Sequence, residues 1–374
     1  MIALLALIPV AIWLYLLAGR GMFWVMAERD DADTPPAPAA WPSVVAVVPA
    51  RNEVDVIARS IASLLAQDYP GDFRIVLVDD QSEDGTSDVA RKLGGRLEVI
   101  AGTPRPTGWA GKVWAMRQGA AKAGTPDYIW FTDADIEHDK ENLRHLVARA
   151  EAGKLVLTSL MVKLHCKGWV EAYLIPAFVF FFAMLYPFRW VNDPKNGTAA
   201  AAGGCMLVRR EALKRAGGID AIKGEIIDDC ALGRALKQQG PIWLGLTERA
   251  ASIRPYAGMP EIRRMVARSA YAQLGYSPLG LIGTILGMAI VYAAPPLLAL
   301  FAHQSAQASG ILAWAAMTLA FQPIAKFYRI SPLWGLALPL IGGLYTLFTF
   351  DSAMQYWRGQ GGMWKGRAQA LGQP

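Results

Sequence analysis

Between Pro278 and Gln355 this chain has three charged side chains, Lys326, Arg329 and Asp351, and its apolar residues fall in blocks near 279–302, 308–324 and 332–350. Blocks of that length with so little charge approach the ~20 residues that cross a bilayer. Residues 278–355 therefore predict a C-terminal transmembrane bundle of about three helices, followed by a basic tail, 356–374, carrying Arg358, Lys365 and Arg367. At the other end, residues 1–26 hold one charged side chain, Arg20. No basic segment precedes the apolar run, which continues through Phe23, Trp24 and Val25, so we read an uncleaved membrane anchor rather than a signal peptide.

The whole chain has 37 Lys+Arg against 31 Asp+Glu, a net charge of +6, with 18% charged and 53% hydrophobic residues. That composition excludes disordered and collagen-like classes, and no nucleic-acid partner is expected. Cys166, Cys205 and Cys230 are too few and too dispersed for a disulfide framework or a zinc CxxC pair, which suits a reducing compartment. His138, His145 and His165 lack zinc spacing and read as surface or structural.

Residues 27–42 form a Pro/Ala-rich linker into a segment of ordinary charge density, 43–277. Here strand-like apolar runs alternate with helical spacing. Val44 to Val48, Phe73 to Val78, Leu97 to Ile100 and Tyr128 to Thr132 predict strands; Glu53 to Gln67, Ser87 to Leu93, Lys112 to Ala123 and Lys140 to Ala150 predict helices. Repeated βα units predict an α/β domain with a parallel sheet flanked by helices on both faces, whose ligand lies beyond the carboxyl ends of the strands.

The polar clusters fall at such ends. Pro49-Ala50-Arg51-Asn52-Glu53 follows the first strand and Asp79-Asp80 the second, and neither is a phosphate-cradling glycine loop. Such carboxylates can accept hydrogen bonds from a nucleoside. Asp84, Gly85 and Thr86 read as turn and cap. After the fourth strand come Asp133 and Asp135, hard oxygen ligands suited to Mg²⁺ or Mn²⁺ together with substrate phosphates, although a structural turn explains most isolated pairs of this kind. Asp228-Asp229 precedes another helix and could supply a carboxylate that takes a proton from an acceptor hydroxyl. Gly203-Gly204 could let backbone approach a ligand or could simply begin a strand.

In order along the chain, VPARNE (48–53), VDDQSEDGT (78–86), Gly111-Lys112 to Gly119, TDADI (132–136), AGGCMLVRR (202–210) and IDDCAL (227–232) resemble the family 2 glycosyltransferases of GT-A fold. Within that family the flanking helices, the run 175–193 and the Ala-rich stretch before Gly203 are similar to the bacterial hopene-associated glycosyltransferases, themselves similar to ceramide glucosyltransferases. The resemblance implies a UDP-sugar bound by Pro49, Glu53, Asp79, Asp80, Lys112, Asp133 and Arg268, with a divalent metal at Asp133 and Asp135. It implies Asp229 as general base, Gly203, Gly204 and Asp228 in the acceptor region, and a lipid acceptor such as a hopanoid. Two positions depart from the family. Its Glu-Asp pair is Asp228-Asp229 here, and the QxxRW motif of processive synthases is absent, residues 264–269 reading RMVARS. The second departure favours transfer of one sugar over a polysaccharide synthase.

Asp133 and Asp229 must face one compartment to share a substrate. The uncharged, phenylalanine-rich stretch within 172–190 therefore predicts an interfacial or re-entrant segment with its phenylalanines in acyl chains and Trp169, Tyr186 and Trp190 at headgroup level; a buried hairpin is the rival. Arg20 and Arg29 place the catalytic domain in the cytoplasm, at a bacterial inner membrane. Three C-terminal crossings would leave the basic tail outside, against the positive-inside tendency, so either one block does not fully cross or the tail is an exception. Against a transporter, no ionisable residue sits mid-span in the C-terminal bundle, since Lys326 and Arg329 lie between its blocks. A nucleotidyl- or phosphoryl-transferase acting on a lipid would share the acidic metal site, and product analysis separates it.

Overall fold

The computed structural model describes residues 5–363; most of the basic tail, with Lys365 and Arg367, lies outside them. Eight strands form one sheet: β1 (Val44–Ala50), β2 (Phe73–Asp79), β3 (Leu97–Ala101), β4 (Tyr128–Thr132), β5 (Ile136–His138), β6 (Leu157–Lys163), β7 (Cys205–Arg209) and β8 (Ile242–Ser252). Their order is β3-β2-β1-β4-β7-β6-β8-β5. β1 to β4 are parallel, as the βα pattern predicts. Beyond β4 the sheet is mixed, because β7 runs antiparallel to both β4 and β6. Along β1 the period of two divides the core: Val44, Ala46 and Val48 pack under the helices Val54–Leu65 and Asn142–Ala152, whereas Val45 and Val47 face the opposite layer with Val113 and Met116. Strand order reverses between β1 and β4, which opens a crevice above their carboxyl ends.

The segments read as anchor, linker and interfacial segment each make contacts with the rest of the protein. The N-terminal helix, Leu7–Ala18, is 12 residues long and stops at Gly19-Arg20-Gly21. Its Trp13 is buried, donating to the Val291 carbonyl at 2.9 Å. The linker is docked rather than free: Leu246 donates to the Glu28 carbonyl, Asp30 donates to that of Leu246, and the Thr247 hydroxyl donates to the buried Asp30 carboxylate at 2.6 Å. The stretch 172–190 is a 17-residue helix, Trp169–Leu185, followed by a short one, Phe188–Asn192. Of its phenylalanines, Phe180 and Phe181 are buried in protein while Phe178 and Phe182 are half-buried. Phe180 packs on Phe23 and Phe321, and Phe181 on Tyr292 and Tyr345. A side chain equally apolar on all sides is buried as well by protein as by lipid. Trp169 is 72% exposed. The chain returns to the sheet at β7, so this helix is not a single crossing.

Pro278–Phe301, Gln304–Tyr328 and Pro332–Trp357 are long and apolar enough to cross a membrane. Exposed leucines and phenylalanines stud them, Leu279 at 80% and Phe301 at 74%. The start of the first and the end of the third nevertheless meet: Tyr271, Leu281 and Ala353 form one cluster, and Tyr276 stacks on Tyr356 at 4.4 Å. Beside them Arg263 pairs with Asp351 at 2.8 Å. Before the third helix, Leu164 of the domain donates to the Tyr328 hydroxyl, and Tyr173 meets Trp334. Three complete crossings would separate ends that here touch. The first two helices form an outward hairpin, and the third runs back along the domain, its Tyr345 hydroxyl donating to the Leu174 carbonyl at 2.9 Å.

Candidate active site

Above the β1 and β4 ends the acidic loops converge on two cations. Lys112, second in the helix Gly111–Lys122, places its Nζ 2.7 Å from Asp133 and 3.4 Å from Asp228. Burial alone would depress this ammonium, but Asp133, Asp228 and Asp229 hold it above its usual range. Arg254, just after β8, pairs with Glu53 and lies 3.4 Å from Asp135. Nothing in the sequence singled out Arg254, because no acidic or glycine motif surrounds it.

Asp229 sits in the first turn of the helix Asp228–Lys237, where the N-terminal amides favour negative charge. Gly203 donates its N–H to Oδ2 at 2.9 Å and Cys230 its N–H to Oδ1 at 2.7 Å. Burial, reinforced by Asp228, pushes the Asp229 carboxyl up to about 6 against the opposing Lys112 charge. A side chain on Gly203 would start 3.0 Å from Lys112 Nζ and 3.3 Å from Asp229 Oδ2, so the backbone approaches the acidic site as one of the two readings expected. Gly204 faces the other way: a Cβ there would meet Val162 at 2.9 Å, and its carbonyl accepts from Thr132 Oγ1. Gly204 is thus packed against the sheet.

The Asp133 loop is braced from below. Asn142 donates to Nδ1 of His138 at 3.0 Å, His138 Nε2 bonds Thr132 Oγ1 at 2.8 Å, and Thr132 passes the chain to Gly204. Burial drives the His138 imidazole down to about 3, so it is neutral and structural.

Asp80 is fully buried beside Arg51, whose guanidinium donates to the Asp80 and Gln81 carbonyls. Asp79 accepts from the Ser82 N–H at 3.1 Å, a turn role. Pro49 lies within β1, in register with Val78. Asp84 caps Val54 and Thr86, as its sequence context predicts. Arg268 and Arg264 are both exposed, and Arg268 lines one cavity with Lys112, Glu225, Asp228 and Gly362.

Glu53, Asp133, Asp135, Asp228 and Asp229 thus face Lys112, Arg254 and Arg268, leaving negative charge in excess. An anionic diphosphate could enter only with an accompanying cation. Among the described residues no three His, Cys, Asp or Glu side chains gather to hold a metal. Asp133 and Asp135, just beyond the end of β4, are a carboxylate pair of the kind that Mg²⁺ and Mn²⁺ take together with substrate oxygens.

Residues 45–217 match the family described as Glycosyl transferase family 2. The 4,4'-diaponeurosporenoate glycosyltransferase of Staphylococcus aureus is 28% identical over 196 residues, 52% of this chain and 51% of that protein. The protein of the same name from Staphylococcus haemolyticus is 28% identical over 110 residues, 29% of this chain and 28% of its own. The chain thus spans about half the length of these relatives or less. Among solved structures, a mannosyltransferase from Pyrobaculum calidifontis in complex with GDP-Man and Mn²⁺ superposes with a TM-score of 0.56 at 18% identity, covering 95% of this chain and 98% of that one. At that identity the likeness is one of fold. Residues 45–217 are thus similar to the family 2 glycosyltransferases, and the sheet that carries them has the fold of a solved glycosyltransferase.

Proposed function

We propose that this protein is a membrane-associated inverting glycosyltransferase that moves one sugar from a UDP-sugar to a hydroxyl of a lipid acceptor, a hopanoid being one candidate. The observation that carries the proposal is the sharing of Lys112 between Asp133 and Asp228, next to Asp229, in a domain that continues into apolar helices. Glu53 and Asp80, with Pro49 and Asp79 beside them, would face the nucleoside. Asp229 would take the proton of the acceptor hydroxyl as its oxygen attacks the anomeric carbon and the bond to the diphosphate breaks; a carboxyl near 6 is ionised at neutral pH yet basic enough to accept it. Asp133 and Asp135 would hold a divalent ion, which with Arg268 would offset the charge of the departing diphosphate.

A second reading comes from the Staphylococcus relatives, whose name makes the acceptor a carboxylate. A carboxylate acceptor brings no proton to remove, so Asp229 would be dispensable. The experiment is nucleoside diphosphate release by the purified chain in detergent with Mg²⁺ or Mn²⁺, from UDP-glucose, UDP-N-acetylglucosamine, UDP-galactose and GDP-mannose, with and without membrane lipid extract. Release that needs lipid and falls 10²–10⁴-fold in Asp229→Asn supports a hydroxyl acceptor. Lipid-dependent release that survives Asp229→Asn supports the carboxylate. No release from any donor, or release of pyrophosphate instead, overturns both.

A further inference from the structure

We propose that Arg254 is a donor-positioning residue that exchanges partners: without donor it ties Glu53 to Asp135, and with donor it yields Asp135 to a divalent cation and turns its guanidinium to the diphosphate. This rests on the glycosyltransferase reading above. Arg254 is the described cation that touches both the loop after β1 and the loop after β4. Its backbone is fixed on either side. Ile253 donates to the Asp135 carbonyl at 2.9 Å, and Tyr256 donates to Glu171 Oε1 at 3.0 Å.

Glu171 is itself 4% exposed and accepts three backbone N–H bonds, from Lys167, Gly168 and Tyr256, plus one from His165 Nδ1. That saturated anchor pins the segment after β8 to the start of the helix Trp169–Leu185, leaving the Arg254 side chain as the part able to move. Nε points to Asp135 and Nη2 to Glu53, so one planar fork spans two carboxylates that would otherwise repel. A divalent ion on Asp135 brings like charge against that fork and competes with it. The same fork fits a pair of phosphate oxygens. Apo and donor-bound sites would then each be charge-compensated, by different partners of one arginine.

The test uses the full chain in detergent and reads binding, not turnover. Mn²⁺ affinity without nucleotide, and UDP and GDP affinity with Mg²⁺, are measured for wild type, Arg254→Gln and Arg254→Lys. Arg254→Gln is expected to bind Mn²⁺ alone several-fold more tightly and to bind the nucleoside diphosphate about tenfold more weakly, as loss of a charge-assisted hydrogen bond predicts. Arg254→Lys keeps the charge without the fork, so it should keep wild-type Mn²⁺ affinity and lose several-fold in nucleotide affinity; it carries the test if Arg254→Gln does not fold. Unchanged nucleotide affinity in the folded variants, or Mn²⁺ binding that weakens in Arg254→Gln, overturns the role of Arg254 alone. Wild type that binds neither UDP nor GDP overturns the glycosyltransferase reading with it.

Discussion

The Gly203 amide lies 2.9 Å from Asp229 Oδ2, and the position where a Gly203 side chain would begin is 3.0 Å from Lys112 Nζ. Adjacent glycines therefore have separable consequences. Gly203→Ala pushes on the tip of a lysine, which can move, so it should leave the melting temperature within a few degrees of wild type while lowering kcat at least about tenfold. Gly204→Ala presses on Val162 within the sheet and should cost roughly 1–3 kcal/mol of stability as overpacking does. Thermal melts beside sugar-transfer rates check the pair. Equal loss of stability in both variants would remove the distinction.

On the proposed mechanism, Asp229 should set the acid limb of the rate. Its carboxyl is held up near 6 by burial and by Asp228, and the ionised form is the one that accepts a proton. Activity with a hydroxyl acceptor should therefore rise with pH through about 6 and level off above 7. A kcat profile from pH 5 to 8 at saturating donor reads this directly, and a profile flat to pH 5 would take Asp229 out of the proton transfer.

Much of this arrangement is legible in the amino acids, for identifiable reasons. β1 and β4 announce themselves through β-branched and aromatic runs buried on both faces, and the carboxylates after them stand where a parallel sheet presents its ligand. The antiparallel insertion of β7 is not written in any local pattern, since strand direction depends on how far the chain travels before it returns. Burial of Phe180 and Phe181 stood only as the rival reading because phenylalanine density cannot distinguish lipid from a protein core. Arg254 was missed because its meaning comes from Glu53 and Asp135, about 200 and 119 residues earlier. Asp30 likewise reads as linker until Thr247 is placed beside it.

The path of the C-terminal helices predicts a labelling pattern. Gly359 follows the Tyr276–Tyr356 stack, Lys195 is exposed on the catalytic domain, and His303 caps the far end of the helical hairpin. In a Cys166→Ser background, Gly359→Cys and Lys195→Cys should react alike with a membrane-impermeant maleimide in sealed vesicles of either orientation. His303→Cys should react in the opposite orientation or stay shielded. Labelling of 359 and 195 from opposite sides would restore three full crossings.

Lys112 bridges Asp133 and Asp228 beside the proposed base, and its removal should be read in the pH profile. Its positive charge lowers the Asp229 carboxyl, opposing burial and Asp228, which both raise it. In Lys112→Met, Asp228 and Asp229 would sit as two neighbouring carboxyls with no cation between them, and such pairs keep a proton to higher pH. The acid limb of kcat should move above about 6, by at least roughly one unit, so activity at pH 7 falls while part of it returns at pH 8.5. Lys112→Arg keeps the charge and should keep the wild-type limb even if its larger head weakens donor binding through KM. A merely structural lysine would lower the rate by the same factor at every pH in both variants. An unshifted limb in Lys112→Met would mean that Asp229 takes its basicity from elsewhere.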